Sequence, residues 1–139
     1  MHKAFEIIEH PADVGFRAYG QTREELFANA ALAMLTLACA PAGVEEREQR
    51  DIAASGRDNE ALLYAWLAEI LAVADAEQLV FRRVVVTQLG AGHVHGTAYG
   101  EKYDNARHRA GTYIKAVTYH QLRVEQTAEG WRATVYVDV

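Results

Sequence analysis

The stretch Trp131-Arg-Ala-Thr-Val-Tyr-Val-Asp-Val139 decides the interpretation of this chain, because it alternates apolar and polar residues as a half-buried strand does. It ends with the side-chain carboxylate of Asp138 next to the α-carboxylate of Val139. Another carboxylate, Asp13, lies in the segment Glu9-His-Pro-Ala-Asp-Val-Gly15. If the fold brings Asp13 to the C-terminal strand, the three groups form an oxygen-rich site suited to Ca²⁺ or Mg²⁺. The alternative is a solvated, frayed terminus, which the residues taken alone favour.

The size and composition of the chain indicate one ordinary domain covering residues 1–139. Half of the residues are hydrophobic, but no apolar run is long enough to span a membrane. The N-terminal residues do not resemble a signal peptide, and the single cysteine, Cys39, is expected to be a small buried hydrophobe in a reducing, cytoplasmic compartment. The net charge of −5 argues against broad binding to a phosphate backbone but leaves room for a local basic patch.

Two helices are predicted from capping signals and apolar periodicity. Thr22-Arg-Glu-Glu25 is a capping box, and the helix that follows is expected to end at Pro41 and Gly43. Asp58 or Asn59 caps the second helix, whose apolar side chains recur with helical spacing at Leu62, Leu63, Trp66, Leu67, Ile70, Leu71 and Val73.

Strands account for most of the remaining chain. The predicted strands are Ala4–Glu9, Val14–Tyr19, Arg50–Ser55, Leu79–Leu89, Val94–Tyr99, Tyr113–Thr118, His120–Thr127 and Trp131–Val137, with a polar loop at 100–111. A strand–helix–strand–strand order occurs twice, although no sequence repeat is visible. Helices interspersed among hairpins predict an α+β fold, with two helices packed on a largely antiparallel sheet.

The polar loop and the segment after it contain the side chains best suited to chemistry. Asp104 and His108 could form a carboxylate–imidazole pair for proton transfer or metal support, or could be ordinary charges on an exposed loop. On an alternating strand Lys115 would share a face with Tyr113 and Val117. There it could hold a phosphate or a carboxylate, or lay its stem along the sheet with the ammonium in water.

Other clusters favour ordinary surface. His93 and His95 have a spacing that can bind Zn²⁺, but no further ligands are apparent, so we interpret them as an exposed hairpin. Each member of the basic set is expected to pair with a carboxylate rather than to form a patch: Arg82, Arg83, Lys102, Arg107 and Arg109. Neither Ser55 nor Cys39 has a base beside it in sequence, so nucleophilic catalysis is poorly supported.

Several blocks together resemble the archease family, small proteins that act with the tRNA-splicing 3′-phosphate/5′-hydroxyl RNA ligase. In chain order these blocks are Glu9–Gly15, Thr22–Ala31, Gly100-Glu101 with Asp104 and His108, Ile114-Lys-Ala-Val-Thr-Tyr-His120 and Val135-Tyr-Val-Asp-Val139. The resemblance covers essentially the whole chain. This sequence departs from the family pattern at Pro11, where Thr is usual, at Val137, where Phe is common, and at Val139, where Ile is usual.

The resemblance implies an α+β fold of two intertwined strand–helix–strand–strand modules. It also implies a divalent metal site, usually Ca²⁺ with Mg²⁺ or Mn²⁺ as alternatives, formed by Asp13, Asp138 and the carboxylate of Val139. The implied function is to activate the RNA ligase, by stimulating guanylylation of the ligase and its repeated turnover in tRNA splicing or RNA repair. The implied partner is the ligase, RNA is reached only indirectly, and no membrane is involved.

Within that expectation a polar surface around the metal would face the partner. Its predicted members are His10, Asp104, His108, Lys115 and His120. Two alternatives remain: a small metal-dependent phosphoester hydrolase that uses the same carboxylates, and a general interaction or chaperone module whose metal is structural.

Overall fold

The computed structural model describes residues 3–10 and 13–139, except for the side chains of Glu9, His10 and Asp13. The strands are β1 Phe5–His10, β2 Asp13–Gly20, β3 Glu48–Ser55, β4 Leu79–Leu89, β5 His93–Lys102, β6 Ala116–Val117, β7 Arg123–Thr127 and β8 Gly130–Asp138. The helices are α1 Arg23–Ala38 and α2 Asn59–Glu77. None of the helices in these ranges is both long and apolar enough to cross a lipid bilayer.

Two antiparallel sheets form the fold. One has the order β1-β2-β8-β6, with β7 also paired to β8, and the other has the order β3-β5-β4. The unit β3-α2-β4-β5 is inserted between α1 and the strands β6 to β8, which complete the first sheet. The predicted α+β class is confirmed, and the two strand–helix–strand–strand modules are interleaved in the chain.

Local sequence signals fix both helix starts. The Thr22 hydroxyl accepts a hydrogen bond from the Glu25 amide at 3.1 Å, and the Glu25 carboxylate accepts from the Gln21 amide at 2.8 Å. For α2 the cap is Asp58, whose carboxylate accepts from the Ala61 amide at 2.8 Å. These bonds satisfy amide groups that a helix start leaves without partners.

The core lies between the helices and the sheets. Helix α1 packs on β2 and β4, and α2 packs on β3, β4 and β5. The fully buried Trp66 indole of α2 donates a hydrogen bond to the carbonyl oxygen of Phe27 in α1 at 3.2 Å, so the two helices are joined by a polar contact inside an apolar core. Cys39 is buried at the end of α1, as predicted.

Two predicted strands are shorter than expected. Instead of Tyr113–Thr118, only Ala116–Val117 is a strand, because the amides of Gly111 and Thr112 bond to the carbonyl oxygens of Ala38 and Leu37 at the end of α1. Lys115 and Val117 therefore do not share a face, since Lys115 is exposed and Val117 is buried.

The second shortened strand begins at Arg123 rather than at His120. Gln121 has a left-handed backbone (φ 50°), and the Leu122 amide bonds to the Tyr119 carbonyl oxygen, which makes a turn. Strand β5 is longer than predicted and continues through Lys102, which removes Glu101 from the predicted loop.

Candidate metal and partner-binding site

The ends of β2 and β8 lie side by side. Val14 of β2 pairs with Val137 of β8. Asp13 is the first residue of β2 and Asp138 is the last of β8, so both lie at the same end of these two neighbouring strands. We call this end the acidic tip, defined by Asp13, Asp138 and Val139. The Asp13 side chain lies outside the described part of the chain, so its contribution as a metal ligand stays a prediction.

At the acidic tip, Asp138 and Val139 are exposed, Val139 by 45%. Within the described residues, the Asp138 side chain takes part in no hydrogen bond or ion pair, and no three His, Cys, Asp or Glu side chains are grouped as a metal centre. A carboxylate that receives no donor from the protein keeps its lone pairs free for a hard cation such as Ca²⁺. The predicted oxygen ligands therefore fit a divalent cation chemically.

Lys115 is fixed beside the acidic tip by its backbone. Its amide donates to the carbonyl oxygen of Asp138 at 2.8 Å, and the next residue, Ala116, pairs with Asp138 in the sheet. The side chain is exposed. An ammonium next to surface carboxylates can bind an anionic group of a partner.

Tyr136 and His120 lie beside the acidic tip. The Thr118 amide and hydroxyl both donate to the Tyr136 carbonyl oxygen, at 3.2 and 2.9 Å. The exposed His120 ring lies edge-on to the Tyr136 ring, with the two ring centres 5.6 Å apart. Opposite Tyr136 is Gly15, where an added Cβ would lie 2.7 Å from the tyrosine ring. A side chain at position 15 would therefore displace that ring. The His10 side chain lies outside the described part.

His108 is not part of the polar surface, which corrects the prediction. Its imidazole is buried, and the carboxylate that it contacts is Glu101, with Nε2 and Oε2 2.9 Å apart. Asp104 is exposed, and its carboxylate accepts from the Ala106 amide at 2.9 Å instead of contacting the imidazole. The predicted Asp104–His108 side-chain pair is therefore wrong.

The backbone fixes the tautomer of His108. The Asp104 amide donates to Nδ1 at 2.9 Å, so Nδ1 acts as an acceptor and carries no proton. The proton of the neutral ring is on Nε2, which donates to Glu101. The ring thus links the loop backbone to the buried carboxylate.

Glu101 is the centre of a buried cluster. Its carboxylate accepts two bonds from Arg107 at 2.8 and 3.0 Å, one from the Glu45 amide at 2.7 Å and one from His108. The Arg107 hydrogen bonds first, then the Glu45 amide and His108, hold the pKa of Glu101 well below its usual range. We call this set the Glu101 cluster: Glu101, Arg107, His108 and the Glu45 amide.

Sequence reasoning missed the role of Glu101. In β5 the buried face is formed by Val94, Gly96, Ala98 and Gly100, and Glu101 belongs to the opposite face. That face is covered only because residues 44–47 and 103–108 fold over it. The alternation of apolar and polar residues along one strand cannot predict such a cover. Two signals pointed to it: the density of charged residues in the segment 100–108 and the place of Gly100-Glu101 among the blocks that resemble the archease family.

The predicted pairing of the basic residues with carboxylates is confirmed only in part. Arg83 forms a two-bond pair with Glu46 at 2.8 and 2.9 Å, and Arg107 also pairs with a carboxylate. Arg82 and Lys102 instead donate to the backbone carbonyl oxygens of Val44 and Glu77, and Arg109 takes part in no ion pair among the described residues.

The predictions for the histidines, the cysteine and the serine agree with the structure. His93 and His95 are both exposed. Cys39 is free, and burial raises the pKa of its thiol, which disfavours the reactive thiolate. Ser55 lies at the end of β3, in the other sheet.

Known proteins similar to this chain share its whole length. The archease of Methanosarcina barkeri is 41% identical, with 99% of this chain and 97% of that protein covered, and that of Pyrococcus furiosus is 38% identical, with 99% of each covered. The solution structure of Methanobacterium thermoautotrophicum protein 1598 superimposes with a TM-score of 0.82 at 36% identity, covering 98% of this chain and 99% of that one.

A more distant structure shares the fold. The crystal structure from Thermotoga maritima, described as an archease and possible chaperone, has a TM-score of 0.65 at 21% identity, with both chains fully covered. The sequence profile of the archease protein family matches residues 5–139. On this match and these relatives, the chain belongs to the archease family.

Proposed function

We propose that this chain is a non-catalytic protein cofactor that binds a divalent cation at the acidic tip and activates an RNA ligase of the 3′-phosphate/5′-hydroxyl type. The observation that carries the proposal is the exposed Asp138 carboxylate, which receives no donor from the described residues, beside the backbone-anchored Lys115. Membership of the archease family supports the choice of partner.

The cation would be held by Asp13, Asp138 and the carboxylate of Val139. Ca²⁺ is our first choice, with Mg²⁺ or Mn²⁺ as alternatives, because all three prefer oxygen ligands of this kind. Three carboxylates grouped at this end of the sheet would repel one another, and a divalent cation would offset that repulsion. When bound, the cation would give the acidic tip a fixed shape.

The residues around the cation would contact the ligase. Lys115 adds a positive charge next to the carboxylates, and His120 adds an exposed imidazole on the Tyr136 side. His10 and Asp104 remain proposed members of this surface. His108 would act indirectly, by holding the backbone of the loop that leads towards Lys115.

A phosphoester hydrolase is not favoured. In that alternative the same carboxylates and their cation would activate water. Within the described residues no group of three His, Cys, Asp or Glu side chains offers a second metal site, and the Cys39 thiol is buried with a raised pKa. The hydrolase predicts that purified protein with metal turns over phosphoesters without a ligase. A general chaperone receives support from the description of the Thermotoga maritima relative as a possible chaperone. It predicts that many unfolded clients respond to the protein, whereas ligase activation predicts one specific enzyme.

The deciding experiment is a single-turnover guanylylation assay of a purified RNA ligase with GTP and Mn²⁺, with and without this protein. We expect a large rate increase with the wild type, loss of that increase with Asp138→Asn, and full retention with Glu69→Gln. Glu69 is an exposed carboxylate on α2, so the control makes the same chemical change away from the acidic tip. Equal activation by Asp138→Asn would remove the acidic tip from the mechanism, and no activation by the wild type would overturn the function.

A C-terminal extension tests the terminal carboxylate separately. Residues added after Val139 convert that carboxylate into an amide, and we expect weaker Ca²⁺ binding by calorimetry. Equal Ca²⁺ affinity in native and extended protein would exclude Val139 as a ligand.

A further inference from the structure

The side of the five-stranded sheet that faces away from the core carries an arginine cluster. In β2 and β8 the residues Phe16, Ala18, Ala133 and Val135 are fully buried, and the residues between them alternate to the other side. These line one open depression. We call this depression the outer face, defined by Arg17, Tyr19, Gln121, Arg123, Glu125, Arg132, Thr134 and Tyr136.

Strand register places the three arginines close together. Arg17 of β2 is opposite Thr134 of β8, and Thr134 is opposite Arg123 of β7. Two of the arginines therefore lie in one row across the sheet, with Thr134 between them. Arg132 lies in the neighbouring row, opposite Tyr19. Because adjacent strands are about 4.8 Å apart, the backbones of Arg17 and Arg123 lie about 10 Å from each other, on either side of β8.

The outer face has more positive than negative charge. Arg17 lies 3.5 Å from Glu6, and Arg123 and Arg132 share Glu125 at 3.6 and 2.9 Å. With Lys3 on Glu6 at 2.9 Å, four cations contact two carboxylates, in a chain whose net charge is −5. The arginine side chains are 43%, 70% and 42% exposed for Arg17, Arg123 and Arg132. Exposed ion pairs of this kind are weak, so an incoming anion can replace the carboxylates at low cost.

The chemistry of the outer face fits a phosphate backbone better than a protein. Protein interfaces combine arginines with large exposed apolar or aromatic anchors. On the outer face the only aromatic residues are Tyr136, which is buried, and Tyr19, which is half-buried. The large exposed anchors among the described residues lie elsewhere: Tyr103, Tyr113, Tyr119, Val139 and Ile7. Ile7 pairs with the core residue Phe16, so it belongs to the opposite side of the sheet. Guanidinium groups bind phosphate oxygens in a two-bond geometry, and the Thr134 hydroxyl adds a neutral donor.

We propose that the outer face binds two or three phosphates of single-stranded RNA and leads the strand towards the acidic tip. The two surfaces are continuous, because Tyr136 on the outer face is two residues before Asp138. The choice of RNA rests on the proposed function, whereas phosphate binding follows from the arginines alone. The proposal differs from the expectation that RNA is reached only through the ligase.

Fluorescence anisotropy with a labelled 12-nucleotide single-stranded RNA, measured over a salt series, tests the proposal. For single-stranded nucleic acid, each phosphate contact contributes about −0.7 to the slope of the logarithm of the binding constant against the logarithm of the salt concentration. Three contacts therefore predict a slope of about −2. Arg17→Ala and Arg123→Ala should each flatten the slope by about 0.7 and weaken binding several-fold at low salt. Arg57→Ala removes the same charge from the exposed turn before α2 and should change neither quantity.

Two outcomes would overturn the proposal. One is the absence of saturable RNA binding, or equal slopes for the outer-face variants and Arg57→Ala. The other is equally tight binding of an acidic peptide of matched charge, lost in the same variants, which would assign the outer face to a protein segment.

The guanylylation assay contains no RNA, so Arg17→Ala and Arg123→Ala should still activate the ligase. Failure of RNA binding with intact activation would sink this inference alone. Failure of activation with intact RNA binding would sink the proposed function alone.

Discussion

The Glu101 cluster and the acidic tip place carboxylates in opposite situations. Glu101 is buried, and its carboxylate receives hydrogen bonds from Arg107, His108 and the Glu45 amide. Asp138 is exposed, and its carboxylate receives none from the described residues. The first carboxylate has its acceptor capacity filled by the protein, while the second keeps it available for a ligand.

This difference separates a structural role from a binding role. A buried charge is tolerated only when the surrounding groups compensate it, so the Glu101 cluster must form whenever the protein folds. A surface carboxylate without donors contributes little to folding and is free to bind a cation. Substitutions in the Glu101 cluster should therefore change the stability of the protein, and substitutions at the acidic tip should change metal binding.

The largest effect is expected for Glu101→Ala. Removal of the carboxylate leaves His108 and the Glu45 amide buried or part-buried without their acceptor, and we expect the melting temperature to fall by on the order of 10 °C. The matched control is Glu46→Ala, which breaks the exposed pair with Arg83 and should shift melting by less than about 3 °C. Equal shifts in the two variants would break the comparison.

Acid should remove the contribution of Glu101. Its folded-state pKa lies below the unfolded value, so the unfolded chain binds more protons and the stabilisation is present above about pH 4.3 and lost as the pH falls below it. The difference in melting temperature between wild type and Glu101→Gln should shrink between about pH 6 and pH 3. Glu6, whose pKa is lowered to about 2, contributes equally to both proteins and cancels. A constant difference across that range would contradict the prediction.

Calcium should stabilise the wild type but not Asp138→Asn. A ligand at a hundred times its dissociation constant adds about 2.7 kcal/mol to the free energy of unfolding. Without calcium the two proteins should melt alike, because the Asp138 side chain is exposed. A variant that melts lower than the wild type even in chelator would show that Asp138 also supports the fold.

The smallest effect on stability is expected for Lys115→Gln. The side chain is exposed, and the bond that fixes the segment comes from the backbone amide, which the substitution keeps. The melting temperature should be unchanged, while ligase guanylylation should lose most of its stimulation. Lys102→Gln removes a charge whose ammonium bonds to the Glu77 carbonyl oxygen at 2.9 Å and should retain the stimulation.

Periodicity and capping predicted most of the fold. The helix starts at Thr22 and Asp58, the β4–β5 hairpin and the C-terminal strand all follow from contacts between residues close in sequence or from one buried face. The acidic tip was not predicted in this way, because the residues taken alone favoured a frayed terminus and the site was implied by the resemblance to the archease family. Its geometry depends on the pairing of β2 with β8, which are far apart in the sequence.

Interactions between distant segments account for what the sequence did not predict. The segment 111–115 leaves the strand pattern because its first two amides, those of Gly111 and Thr112, bond to the end of α1, more than 70 residues earlier. Glu101 is buried by two connections that come from either side of it in the chain. Such contacts depend on the tertiary fold, and alternation within one strand carries no information about them.

The central position of β8 ties folding to the appearance of the binding surface. This strand pairs with β2, β6 and β7, and its partner in β2 is about 120 residues away in the chain. Closing so long a loop costs more entropy than forming the local hairpins. A molecule in which β8 has not yet docked has neither Asp138 beside Asp13 nor Thr134 between the arginines. A partner that recognises either surface would thus bind only molecules in which β8 has already paired with β2.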